Sequence, residues 1–195
     1  MSLSIETPRL LLRDFVPADW LGVHAYASNP EVVRFMNWGP NSEADSQTFV
    51  ARAIALAGCQ PRRIYHLAVV VRQSGALIGG VALKTSDSDP YRGELGYTLH
   101  PAAWGQGYAT ELAQAMIRFG FKNLQLRRIW ATCRPENVGS YRILKKVGLQ
   151  FEEYIQNERM VRGQMVDCFL CGLSLTAWLR NQEPFAAPVA EKRDN

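Results

Sequence analysis

The sequence predicts a single mixed α/β domain. Two apolar strand patterns, Ile64 to Arg72 and Ala76 to Lys84, flank the turn residues Gln73-Ser-Gly75. A third strand, Arg92 to His100, runs through glycines into a segment whose apolar residues Ala109, Leu112, Ala113, Met116, Ile117, Gly120 and Phe121 recur at helical spacing. A strand, a helix and two more strands then follow between Arg127 and Leu175.

In chain order, the first strand covers Arg9 to Phe15. Pro17 suits the first turn of the helix expected to reach Ser28. A short helical piece is expected over Pro30 to Met36. Ser42-Glu-Ala-Asp45 has the form of a capping box and opens a helix that Gly58 should end. The polar loop Thr85 to Tyr91 separates the hairpin from the third strand. Beyond the glycine-loop helix come the strand Arg127 to Cys133, the helix Val138 to Val147, and strands near Leu149 to Gln156 and Met165 to Leu175. From Asn181 the tail carries Pro, Ala and mixed charges, so the expectation is one domain over 1–180 and a poorly ordered tail over 181–195.

Composition sets bounds. With 195 residues, the chain is long enough to bury roughly 70% of its unfolded surface. No apolar run approaches the roughly 18 residues that span a bilayer, and Met-Ser-Leu-Ser-Ile-Glu lacks the regions of a signal peptide. A cytoplasmic protein is expected. Cys168 and Cys171 are three residues apart on a predicted strand, which sends them to opposite faces rather than to one metal. Free buried thiols, and no metal, are the expectation. A net charge of +4 mildly favours anionic ligands but is too scattered to argue for nucleic acid.

The motif that carries chemistry is Trp104-Gly-Gln-Gly-Tyr-Ala-Thr-Glu111, at the junction of strand and helix. The first turn of a helix offers unpaired N–H groups and a positive dipole end, and glycines let phosphate oxygens approach the main chain. Such a junction can bind a diphosphate. A P-loop is excluded because Tyr108, Ala109 and Thr110 follow Gly107 where Gly-Lys-Ser/Thr is required. The dinucleotide fingerprint is broken by Thr110 in its last glycine position. For an isolated glycine pair, a plain turn into a helix is the better reading.

A second segment changes that balance: Ala131-Thr-Cys-Arg-Pro-Glu-Asn137, followed by Ser140, Leu144 and Gly148-Leu149. Together the two segments resemble the GNAT superfamily of acyl-CoA-dependent N-acyltransferases. Pro8-Arg-Leu-x-Leu-Arg13, Asn29-Pro-Glu-Val32 and Asn137-x-x-Ser140 add a similarity to its ribosomal-protein N-terminal acetyltransferase branch. The resemblance runs from about Thr7 to Leu175.

It implies a largely antiparallel, mixed sheet of about seven strands, flanked by helices. The strands around Leu99 and Ile129 should splay into a V that accepts an extended thioester arm. It also implies acetyl-CoA as cosubstrate and direct transfer to a primary amine, either a protein N-terminus or a small molecule. By the same resemblance, Trp104, Gly105, Gln106, Gly107, Tyr108, Ala109 and Thr110 hold the cofactor's phosphates, and the Leu99 N–H both contacts the thioester and stabilises its oxyanion.

Glu94 is the candidate base, acting through water, against an ordinary cross-strand ion pair. An α-amine, with pKa roughly 7.7 to 8.0, needs only weak help. His100 is the more natural base by pKa, but a structural role suits its place before Pro101, and Glu111 suits support of the helix dipole. Leu144 fills the position where many superfamily members carry an acidic tyrosine. Ser140 and Asn137 are left to orient the leaving sulfur and the pantetheine arm, with helix capping as the plain reading of Asn137. Tyr141 should point away from them into packing. Arg142, in the basic cluster with Lys145 and Lys146, is either a solvated helix face or a phosphate contact. Phe35, Met36, Trp38 and Trp20 are candidates for the acceptor pocket, with Trp38 and Phe35 foremost. A homodimer or a monomer is equally compatible. A non-catalytic acyl-CoA sensor is the rival reading, and no direct nucleic-acid or membrane partner is expected.

Overall fold

A computed structural model describes residues 2–85 and 88–181. Of the tail expected to be poorly ordered, 181–195, only Asn181 is described, as the C-cap of α5, and the rest lies beyond the described residues, as does part of the Thr85 to Tyr91 loop. The strands are β1 (Ser4–Glu6), β2 (Leu10–Asp14), β3 (Ile64–Val71), β4 (Leu77–Lys84), β5 (Arg92–Leu99), β6 (Arg128–Cys133), β7 (Gln150–Val161) and β8 (Gln164–Ser174). The helices are α1 (Trp20–Ala27), α2 (Glu43–Ala57), α3 (Tyr108–Lys122), α4 (Val138–Lys146) and α5 (Leu175–Arg180). All eight strands join one sheet in the order β1-β2-β3-β4-β5-β6-β8-β7. Every neighbouring pair is antiparallel except β5 and β6.

Alternation along the strands divides the core. On β3, Leu67 and Val69 point to one face, whereas Ala68 and Val70 point to the other. The first face packs on α3 through Leu83, Leu112, Met116, Ile117 and Ile129. The second packs on α1 and α2 through Val23, Tyr26, Val50 and Ala53. Each of the large side chains is worth about 1.5–3 kcal/mol of burial. Gly120 brings α3 down onto the sheet, since a Cβ there would lie 2.8 Å from Ile129 Cδ1.

Local chemistry sets the helix ends. Ser42 Oγ accepts from the Asp45 N–H at 3.2 Å while the Asp45 carboxylate accepts from the Ser42 N–H at 2.9 Å, which is the expected capping box. Gly58 closes α2, as expected.

The structure departs from expectation in four places. Pro30 to Met36 forms turns instead of a helix, because Asn29 Oδ1 accepts from the Glu31 N–H at 2.9 Å and diverts the backbone locally. An eighth strand, β1, is too short to show a period. It is held by Asp14, whose carboxylate accepts from the Leu3 N–H at 2.8 Å and whose N–H donates to Leu3 O at 3.0 Å. β7 continues past Gln156 to Val161 and turns through Arg162 and Gly163, both at positive φ. The last strand stops at Ser174, whose side chain accepts from the Ala177 N–H and starts α5.

Cys171 lies in the main core and Cys168 lines a cavity on the opposite face. Cys133 is also buried, whereas Cys59 is exposed at the end of α2. Among the described residues, no helix is long and apolar enough to cross a membrane, and no group of His, Cys, Asp and Glu could hold a metal.

Candidate active site

The parallel ladder between β5 and β6 contains only Arg92↔Arg128, Gly93↔Ile129 and Glu94↔Trp130. Beyond Glu94 the strands diverge, while β5 stays paired with β4 as far as Leu99. The Leu95 to Leu99 edge is therefore open. The His100 N–H donates to Ile78 O on β4 at 2.8 Å, so alternation turns the N–H and C=O of Leu99 toward the opening. The Trp104 indole N–H takes that carbonyl at 2.9 Å. The Leu99 N–H is left facing the gap with no β6 partner.

At the end of this edge, Gly105 (φ +72°) and Gly107 (φ +81°) turn the chain into α3. Gly107 is the N-cap and has no capping side chain. The first helical bond is from the Glu111 N–H to Gly107 O, and among the described residues the N–H groups of Tyr108, Ala109 and Thr110 have no acceptor. These unspent donors, beside glycines that keep Cβ atoms away, fit a diphosphate. Gln106 Nε2 donates to Ala102 O at 2.6 Å, and Trp104 to Gly107 are all exposed.

The loop is tied down from the turn between β1 and β2. Arg9 donates through Nε to Glu111 Oε2 at 2.6 Å and through Nη1 to Gln106 O at 2.9 Å, and its guanidinium lies 4.5 Å from the Tyr108 ring centroid. Thr7 Oγ1 donates to Glu111 Oε1 at 2.6 Å. Burial alone would raise the Glu111 pKa. The hydrogen bonds from Thr7 and Arg9 overcome it and hold the carboxyl below its usual range.

A cavity of about 700 Å³ opens between the diverging strands and the loop before α2. It brings together Glu94, Asn137, Ser140, Leu144, Phe35, Met36 and Trp38, and its base is formed by Gly80, Ala82 and Gly96. A Cβ at Gly96 would meet nothing within 4 Å. Phe35 reaches it from turns in place of the expected helix, and Trp38 from the loop beside Gly39-Pro40. Trp20 packs into the second core cluster instead. Residues 104–110 do not line the cavity but lie at the far end of the open edge, and Arg142 is exposed on α4 outside it. Lys145 sits over the Tyr141 ring at 5.6 Å, and Tyr141 packs on Phe169, as its direction predicted.

Glu94 projects into the cavity and carries no hydrogen bond or ion pair among the described residues. Lys84 lies opposite it on β4, and the Arg159 guanidinium feels its charge. His100 is used structurally: its Nδ1 accepts from the Ala102 N–H at 3.1 Å.

Asn137 Oδ1 caps α4 by accepting from the Ser140 N–H at 3.1 Å, and Ser140 Oγ lies 3.2 Å from the Tyr97 phenol. Burial raises the Tyr97 pKa to about 12, against a lowering from the Ser140 hydrogen bond. Tyr97 thus stays protonated, and the cleft contains a phenol although Leu144 replaces the expected one.

Residues 9–150 match the model of the acetyltransferase (GNAT) domain family. The chain belongs to the GNAT acetyltransferase family. It is 35% identical over 155 residues to the uncharacterized N-acetyltransferase YnaD of Bacillus subtilis (strain 168), covering 79% of this chain and 86% of that protein. A GNAT acetyltransferase from Bacillus anthracis superposes with a TM-score of 0.79 at 30% identity, covering 88% and 98% of the two chains. The ribosomal protein uS5 alanine N-acetyltransferase of Escherichia coli (strain K12) matches at 30% identity over 84 residues, 43% of each chain. By class the protein is an acetyl-CoA-dependent N-acetyltransferase.

Two features of this GNAT site escape a reading by motif. Tyr97 sits two residues before Leu99 on the same face of β5, so alternation along the strand was the signal for it. The cations Arg52 of α2, Lys84 of β4, Arg134 in the loop after β6 and Arg159 of β7 line the cavity and form no local pattern.

Proposed function

We propose that this chain transfers an acetyl group directly from acetyl-CoA to a primary amine bound in the same cavity, the acceptor being a small molecule or a protein N-terminus. The open Leu95 to Leu99 edge carries this reading, because it leads from unspent helix-terminal donors to Glu94, a carboxylate with no hydrogen bond or ion pair among the described residues. The main-chain N–H groups of 105–110 receive the diphosphate. Trp104 acts on them indirectly, by fixing the carbonyl of Leu99. Arg142 supplies further positive charge for the phosphates from α4.

In the transfer step, Glu94 takes a proton from the ammonium through a bridging water, leaving the nitrogen lone pair free to attack the thioester carbon. The Leu99 N–H donates to the carbonyl oxygen as negative charge develops, a contribution of about 3 kcal/mol when preorganised. The C–S bond then breaks, CoA leaves as the thiolate, and the nitrogen's second proton passes to solvent water in the open cavity. Ser140 and Tyr97 hydrogen-bond the departing sulfur while Asn137 fixes Ser140. A phenol with a pKa of about 12 is a weak acid against a thiol near 8.5, so the pair stabilises the thiolate and does not fully protonate it. Phe35 and Trp38 wall the acceptor.

Calorimetric titration with acetyl-CoA, followed by CoA-release assays over amines and N-terminal peptides, tests the reading. Micromolar binding with turnover is expected. Binding without turnover on any acceptor would mean an acyl-CoA sensor, and no binding would remove the proposal altogether.

A further inference from the structure

The walls of the cavity are cationic, and two of the cations have no partner among the described residues. Even-numbered residues of β5 face the cavity, placing Glu94 there directly across the β4–β5 ladder from Lys84. Arg52 reaches the same mouth from α2, and the His66 ring lies between these elements against Phe49, their centroids 5.6 Å apart. Lys84 and Arg52 are exposed and make no hydrogen bond or ion pair among the described residues. The cations of the opposite wall are already matched, Arg134 with Glu136 and Arg159 with Glu158. Among the described residues the lining has two carboxylates, Glu94 and Asp45, and Asp45 is engaged in the α2 capping box. Phe15, Phe35, Trp38 and Phe49 supply the apolar surface.

Resting on the reading of this cavity as the acetyl-transfer site, we propose that its acceptor is a primary amine bearing an anionic group a few bonds from the nitrogen and an apolar body, with Lys84 and Arg52 binding the anion. An amine directed at Glu94 brings its neighbouring substituent to the mouth of the cavity. A carboxylate there completes two unpaired cations, whereas a second ammonium, as in a polyamine, is repelled by them. The carboxylate belongs either to a free amino acid or to an acidic residue beside a peptide N-terminus.

The test compares phenylalanine, phenylalanine amide and spermidine as acceptors with saturating acetyl-CoA, together with peptides carrying Asp or Lys at the second position. The expected kcat/KM for phenylalanine exceeds that for its amide at least tenfold, with spermidine lowest. A preference for the Asp peptide over free phenylalanine would assign the carboxylate to a protein terminus. In Lys84→Gln/Arg52→Gln the ratio of carboxylate to amide should fall to about one. Equal rates on phenylalanine and its amide, or a preference that survives the double variant, would overturn the proposal.

A second readout does not need turnover. Phenylalanine bound at Lys84 and Arg52 offsets their charge and should raise the His66 pKa seen by NMR, and phenylalanine amide should not. Absence of turnover with that shift retained counts against the enzymatic reading alone. Absence of the shift counts against the anion site.

Discussion

Arg9 and Glu111 meet at 2.6 Å although they are 102 residues apart, and the same guanidinium reaches Gln106 O. The contact joins the residue just ahead of β2 to the N-terminus of α3, so a residue outside the cavity sets the posture of the loop proposed to receive the cofactor.

Arg9→Ala should therefore raise KM for acetyl-CoA about tenfold, the loss of about one charge-assisted hydrogen bond, with little change in kcat. Arg9 is 47% exposed, so the stability cost should stay below about 1 kcal/mol. Gly107→Ala should weaken the cofactor similarly and cost about 1–2 kcal/mol, because it forces a Cβ into a left-handed conformation and to 3.3 Å from Arg9 Nη2. Acetyl-CoA titrations and thermal melts of the two variants separate these effects.

Glu94→Gln should lower kcat about 10²-fold while leaving acetyl-CoA affinity unchanged. Single-turnover rates at fixed pH with saturating acetyl-CoA check this, and a variant with the wild-type rate would rule out Glu94 as the base.

Tyr97→Phe and Ser140→Ala should each reduce kcat about tenfold, and their combination should cost less than the product, because the two hydroxyls act as one hydrogen-bonded unit. A double-mutant cycle on kcat measures the coupling. Full additivity would mean that they act separately.

His66 gives a pH signature of its own. Burial, then the charges of Lys84, Arg52 and Arg62, hold its pKa down at about 4, against about 6.5 in the unfolded chain. Between those values the unfolded chain binds the extra proton, so stability falls as pH drops from 6.5 toward 4 and levels off below. Melting temperature against pH should show this slope in the wild type and a flatter one in His66→Gln.

Much of the fold was legible because it is written in short-range chemistry. Ser42 and Asp45 cap α2, Gly75 turns the β3–β4 hairpin at positive φ, and the apolar stripe of α3 is the buried one. What failed had no period to read. β1 is three residues held by Asp14, and the Asn29 turn replaces a helix that the composition around Val32 and Val33 allowed. The site divides the same way. Glu94, Asn137 and Ser140 came from local motifs and do converge on one cavity. The cations at 52, 84, 134 and 159 meet only through tertiary packing, and Tyr97 looked like one more strand aromatic until its hydroxyl was placed beside Ser140.

Gly96 has open space where its side chain would be, in a backbone conformation that suits any residue. Bulk added there would shorten the list of molecules admitted without disturbing the packed layers beneath. Selectivity in this protein can drift by single substitutions while its folding energy stands still, which is the condition under which one scaffold diversifies into many enzymes.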